Sequence, residues 1–461
     1  MTRIESTTRS AGVARLFSVA AAAALLLVPA AASAGIIGET GPTFYLTARE
    51  GNISVADGGS IYSWGYTSGP VMQLPGPTLI VTQGDTVEVT LTNALPAAAG
   101  NVSIVFPGHE ATAVGGVPGL LTQEAPPGGS VTYTFTADEP GTYQYHSGTR
   151  PDLQVEMGLY GALIVYPANP ATVCDTINGA MAYDHPGACF DREYLFLTSE
   201  IDVDIHNEAQ LQASGPGPMD VATEPYHSEY WLFNGRTAPD TMAAAGDGLL
   251  TTQPYNCLPM MHPGERLLIR LVGVGRQMHP FHHHGNHSRV LAVDGRLLLT
   301  ETGQLAGPLL FTIPSVPGQT ADAIFEWTGK DLGWDIYGTV ADGMPAHDCT
   351  DTVNNETGAP GADGYADTTS DYPWEWCADH DKPIPVTLPD LNVVAFGGFW
   401  SGSPYLGNLG SLPPGEGGLN PNAGFTYMWH SHTERELVNN DVFPGGMMTM
   451  LIVEAPGIPI D

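Results

Sequence analysis

The sequence predicts an all-β protein built from two sandwich domains, and three observations carry that reading. Glycine and proline are abundant, 56 and 39 residues among 461, and break the chain at short intervals. Between the breaks lie short runs that alternate apolar and polar side chains, as half-buried strands do, at 78–82, 86–92, 131–136, 160–165, 267–271 and 449–453. Sustained 3.6-residue periodicity is missing beyond the first 34 residues. The chain is longer than a usual single domain and can fill two cores.

At the N-terminus, Arg3, Arg9 and Arg15 lead an apolar stretch from Leu16 to Pro29, and Ala32-Ser33-Ala34 offers small residues for cleavage before Gly35. Residues 1–34 are therefore expected to be a signal peptide for export to the periplasm or the cell exterior. The apolar stretch is shorter than the roughly 20 residues of a membrane span. The first domain is placed at 35–168. There Leu74-Pro75-Gly76-Pro77-Thr78 turns into a strand and Gly84-Asp85-Thr86 turns the chain back. Pro126 to Ser130 opens a further strand, and Gly141-Thr142-Tyr143-Gln144-Tyr145-His146 ends on a histidine.

A disulfide-tied linker is expected at 169–189 and the second domain at 190–461, where the same grammar returns. His262-Pro263-Gly264-Glu265-Arg266 opens a strand that leads towards His279, Val316 to Thr320 opens another, and Phe425 to His430 again ends on a histidine. An insertion rich in Gly, Asp, Pro and Asn occupies about 338–424. It is either a lid over the site or a decoration without a role.

Acidic residues outnumber basic ones by 49 to 15, for a net charge of −34, and lysine occurs only as Lys330 and Lys382. Such a field repels nucleic acid and anionic membrane and raises the local concentration of cations. Solubility alone would also account for it. All five cysteines lie beyond residue 34, in a disulfide-permissive setting. Cys174 with Cys189 and Cys349 with Cys377 are the economical pairs. Cys257 is left over, as a buried thiol or, beside Met260, Met261 and His262, as a soft ligand.

The chemistry is concentrated in two histidine runs, His279-Pro280-Phe281-His282-His283-His284-Gly285 and Trp429-His430-Ser431-His432. With Leu74–Thr78, Gly84–Thr86, Gly141–Ser147, Gly158–Val165 and Gly446–Met448, they stand in the order found in multicopper oxidases. The chain resembles the compact bacterial two-domain kind, over both domains but not the signal or the insertion. That resemblance implies two cupredoxin-like (plastocyanin-like) Greek-key β-sandwich domains, bound copper and a homotrimer whose sites lie between subunits. A monomer with an intrachain domain interface is the alternative.

The family's motifs are H-W-H-G, H-S-H, H-P-x-H-x-H-G and H-C-H, and this chain keeps them unevenly. In the first, Val105 and Pro107 replace both histidines, with only His109 nearby; in the second, His146 stays but Gly148 replaces its partner. The third is complete, and the fourth keeps His430 and His432 with Ser431 in the cysteine position. The metal ligands implied are thus His146, His282, His284, His430 and His432, with His109 and His279 as further candidates. His284 and His430 would share one copper, and His146 and His432 another.

His279 stands at the blue, type 1 copper position, where Glu436 replaces the later histidine and Met447 or Met448 marks the axial ligand. A hydroxyl is a poor substitute for thiolate, so no blue copper is expected. In an extended segment His283 points away from His282 and His284, and His185, His206, His227, His347 and His380 read as surface or loop residues. Glu434, Glu436 and Asp441 could orient imidazoles or form a solvated loop. The expectation is an exported copper-binding oxidoreductase working with a small oxidant on a small molecule or metal ion. A non-enzymatic copper carrier or reservoir and a metal-free structural relative are the alternatives. No catalytic residue is assigned.

Overall fold

The computed structural model describes residues 35–330 except 175, 177 and 178, residues 332–380 except 334, 339 and 341–345, and residues 424–454, with the short pieces 386–387, 403–404, 419–420 and 458–460. The expected signal peptide and most of 381–423 in the expected insertion lie outside the described residues.

In the N-terminal half, a five-stranded sheet runs in the order Ser60–Thr67, Thr43–Ser54, Thr86–Asn93, Ser130–Thr136, Thr112–Gly115. Alternation decides its inner face: along Thr43–Ser54, Phe44, Leu46 and Ala48 are buried while Tyr45 is exposed. A four-stranded sheet of Glu39–Thr40, Leu79–Thr82, Tyr160–Tyr166 and Gly141–His146 accompanies it. Trp64, Tyr66, Val89, Leu91, Tyr133, Tyr145 and Leu163 share the core of this half.

The C-terminal half repeats the plan. One sheet joins Tyr230–Phe233, Arg192–Ile201, Arg266–Gly273, Thr320–Glu326 and Ser288–Val293. The other joins Met260–Met261, Met448–Val453, Phe425–Ser431, His279–His283 and Thr312–Ser315. Phe196, Phe233, Phe281, Phe325, Trp429 and Leu451 belong to the core there. Each half also carries a long parallel pair, Thr43–Ser54 with Thr86–Asn93 and Arg192–Ile201 with Arg266–Gly273, which hairpins alone cannot make. The chain is mostly β, as expected.

One helix departs from the sequence expectation. Val203–Gln212 is α-helical, with the Asp202 carboxylate capping its N-terminus by accepting from the amides of Asp204 and Ile205. Its apolar positions are too sparse for a periodic stripe, yet Ile205, His206 and Ala209 are buried. It lies against Ser60–Thr67, a strand almost wholly buried, and the His206 ring nitrogens meet the carbonyl oxygens of Tyr62 and Glu156. His206 is therefore an interior residue, contrary to the surface reading.

The halves are joined through buried polar groups. Arg270 donates to Glu193 at 2.8 Å and to Thr142 Oγ1 at 3.0 Å, and Thr142 donates to Asp322 at 2.5 Å. Thr142 lies on the strand that ends at His146, so this network seats that strand against the second half. Both expected disulfides are present, Cys174–Cys189 and Cys349–Cys377, and Cys257 is a free, buried thiol in the second core. No helix among the described residues is long and apolar enough to cross a membrane.

Candidate metal centre

The His279–His283 and Phe425–Ser431 strands pair antiparallel, with His282 directly opposite His430. His284 and His432 follow just past the strand ends, so sheet register brings four imidazoles together. Ring centroids lie 4.8 Å apart for His282 and His284, 5.3 Å for His282 and His430, and 4.7 Å for His282 and His432. Ligand atoms of His282, His284 and His430 all fall within 4.8 Å of one another, and His284 Nε2 faces His430 Nε2 at 3.4 Å.

Local hydrogen bonds fix which nitrogens face the centre. His430 donates from Nδ1 to the Ser431 carbonyl at 2.7 Å, leaving the Nε2 lone pair towards His284. His282 Nδ1 lies 2.7 Å from Thr312 Oγ1. Burial, reinforced by the neighbouring imidazoles, brings the His282 pKa down to about 4, and burial also lowers that of His430. Both are neutral at ordinary pH, as metal ligation requires. Three convergent imidazoles suit copper. His432 is the open side of the group, with a half-exposed side chain 3.3 Å from Glu434. Between the ligands His283 points the other way, buried and hydrogen-bonded to Ser288 at 2.7 Å, as strand alternation requires.

His146 stands apart. Among the described residues, no group of three metal-capable side chains includes it. It lines a cavity of about 210 Å³ with Gln144, Val274, Gly275 and Gly318. Its Nδ1 meets the Ser147 carbonyl at 3.0 Å, the same local device as at His430, and burial lowers its pKa. Val105 pairs with it across an isolated bridge. A Cβ added at Gly148 would lie 2.8 Å from Val105 Cγ1, so the two lost histidine positions have closed on each other. The His109 ring packs on Phe135 and Tyr143, at 4.8 and 4.5 Å, and is not part of the imidazole cluster.

His279, the further candidate ligand, sits among carboxylates instead of imidazoles. It is fully buried, its Nδ1 donating to Glu436 and its Nε2 to Glu200, each at 2.9 Å. Neither nitrogen keeps a lone pair. Burial lowers its pKa, but the hydrogen bonds to Glu200 and Glu436 outweigh that and hold it at about 9. Ser431 completes the group, donating to the same Glu436 oxygen at 2.5 Å. His279, Ser431 and Glu436 thus converge on one buried point with ion-pair chemistry. Glu200, four strands away in sequence from His279, carried no signal that could have announced this role. Glu436 is buried rather than part of a solvated acidic loop, whereas Glu434 is exposed.

A second histidine group lies in the segment between Thr320–Glu326 and Phe425–Ser431. His347 and His380 both meet Glu375, at 2.9 and 2.7 Å, so these two loop histidines share one carboxylate.

Known proteins resemble this chain in part. Residues 52–170 match the family model described as Multicopper oxidase. Copper resistance protein A of Pseudomonas syringae pv. tomato is 37% identical over 265 residues, covering 54% of this chain and 42% of that protein. A copper-containing nitrite reductase of Neisseria meningitidis serogroup B is 28% identical over 206 residues, 44% of each chain. The chain thus spans less than half the length of these curated relatives. Among solved structures, the blue copper oxidase from Nitrosomonas europaea superposes with a TM-score of 0.50 at 18% identity, over 90% of this chain and 86% of that one. The multicopper oxidase mgLAC superposes with a TM-score of 0.51 at 19% identity, over 91% and 87%. These two likenesses show that the fold is that of cupredoxin-type multicopper oxidases.

Proposed function

We propose that this multicopper-oxidase-like copper protein is an exported copper-binding oxidoreductase with an incomplete copper set, using a small oxidant on a small molecule or metal ion. The observation that carries the reading is the convergence of His282, His284 and His430, with the His430 Nε2 lone pair turned inward by its Nδ1 hydrogen bond. These three would hold copper, with His432 on the open side. Copper bound there would supply one-electron chemistry. The chain's own part is to fix the imidazoles on paired strands and to keep their lone pairs free of protons. The two disulfides point to an extracytoplasmic location, in line with the expected signal peptide.

His146 joins this reading through assembly. It carries the same Nδ1–carbonyl device as His430 but sits outside the cluster of its own chain. A homotrimer, with His146 reaching the His432 side of a neighbouring copy, would use both.

A second reading, a copper carrier or reservoir, is favoured by one observation. The His279–Ser431–Glu436 point offers no thiolate for electron entry. Copper analysis with steady-state oxygen consumption separates the two. Copper-dependent turnover with a reductant supports the oxidoreductase. Stoichiometric copper without turnover supports the carrier, and a copper-free protein after loading contradicts both.

A further inference from the structure

We propose that His347, Glu375 and His380, with Asp335 beside them, form a second and separate metal site that takes a zinc-type divalent cation. The ligand atoms of the first three lie within 4.8 Å of one another. Glu375 is the hub: its Oε1 is 2.9 Å from His347 Nε2 and 2.7 Å from His380 Nδ1.

Two independent features point to a cation. First, His380 donates from Nε2 to the His347 carbonyl at 3.1 Å. That bond turns Nδ1 towards a carboxylate oxygen 2.7 Å away, where either a proton or a bound cation must sit between the two. A backbone bond that orients one nitrogen while the other binds is the usual support of a metal-bound histidine. Second, among the described residues two buried carboxylate oxygens have no hydrogen-bond partner, Glu375 Oε2 and Asp335 Oδ2, on residues each 1% exposed. Asp335 interacts electrostatically with both Glu375 and His380, while its other oxygen accepts from the amides of Tyr337 and Gly338. Leaving such oxygens unpaired costs stability, so they mark a place for positive charge.

The surroundings fit a prebuilt site. Cys349–Cys377 ties the segment of His347 to that of Glu375 and His380. The Tyr372 ring packs 4.2 Å from His347. The His347 and His380 side chains remain 8% and 18% exposed, which leaves a path from solvent. Two imidazoles with one or two carboxylates and no thiolate form a borderline donor set, matched to tetrahedral Zn²⁺. The site is independent of the copper cluster and of the function proposed for it.

The test removes metal from the full protein and adds Zn²⁺. In a His282→Ala/His284→Ala/His430→Ala background, which disables the other described group, about one zinc should remain bound. Adding His347→Ala and His380→Ala should abolish that uptake, and Glu375→Gln should weaken it about tenfold or more. No zinc in the triple background, or uptake unchanged by the further changes, overturns the proposal. Zinc-edge anomalous diffraction from Zn²⁺-soaked wild-type crystals needs no variant. A peak among His347, Glu375 and His380 supports the site, and a soaked crystal without one overturns it.

Discussion

At the scale of single residues, one buried point carries the proposal that blue-copper chemistry is missing. His279, Ser431 and Glu436 meet with Glu200 where a thiolate site would need soft, unprotonated ligands. Copper-loaded protein should therefore show no intense blue absorption; a strong band abolished by Cys257→Ser would contradict this. The same group predicts a pH dependence. The folded pKa of His279, about 9, is above its unfolded value of 6.5. The stabilisation is thus complete below about pH 6.5 and is lost as pH rises through about 9, a change of about 3 kcal/mol for this buried group. Denaturant unfolding across that window should show the loss. His279→Gln should start less stable, because it leaves two carboxylates buried together, and should lack the slope. A flat wild-type profile would refute the imidazolium assignment.

At the scale of elements, strand pairing brings the imidazoles of the proposed metal centre together. His430→Ala should remove most bound copper, since His430 is buried and faces His284 at 3.4 Å. His432→Ala should remove less, because its side chain is half exposed. His283→Ala should leave copper content intact while lowering stability, because its ring is buried against Ser288. Metal analysis of the three variants checks the order, and equal copper in all of them would make the histidines mere scaffold. In the first half, Gly148→Ala should cost about 1–3 kcal/mol by crowding Val105. Val105→Ala should relieve part of that cost in a double-mutant cycle, and simple additivity would contradict the packing argument.

Much of this was legible in the sequence at the level of elements. Alternation exposed the strands, and the family resemblance marked His282, His284, His430 and His432 as ligands, but only strand register shows that they share one sheet end. The helix Val203–Gln212 was hidden because its stability comes from the Asp202 cap and from covering Ser60–Thr67, not from a periodic apolar face. Glu200, His206 and the His347–Glu375–His380 group were hidden for a related reason. Each depends on contacts between distant segments, which no local pattern records.

At the scale of the whole molecule, the question is how one histidine of the first half and four of the second come to serve one centre. Within a chain they do not: His146 lies at a cavity with Val274 and Gly318 rather than in the cluster. Sedimentation of the copper-loaded protein should therefore give a closed homotrimer. His146→Ala should lower copper content in that trimer. A monomer with full copper and full sensitivity to His146→Ala would contradict the assembly.

The central claim is that copper is held by the imidazoles of paired strands and not at the buried point of His279, Ser431 and Glu436. Copper-edge anomalous diffraction from copper-loaded crystals tests it most directly. The account predicts a peak within coordination distance of His282, His284 and His430 and none among His279, Ser431 and Glu436. A peak at the second place, or an empty first place in protein shown to carry copper, would contradict it.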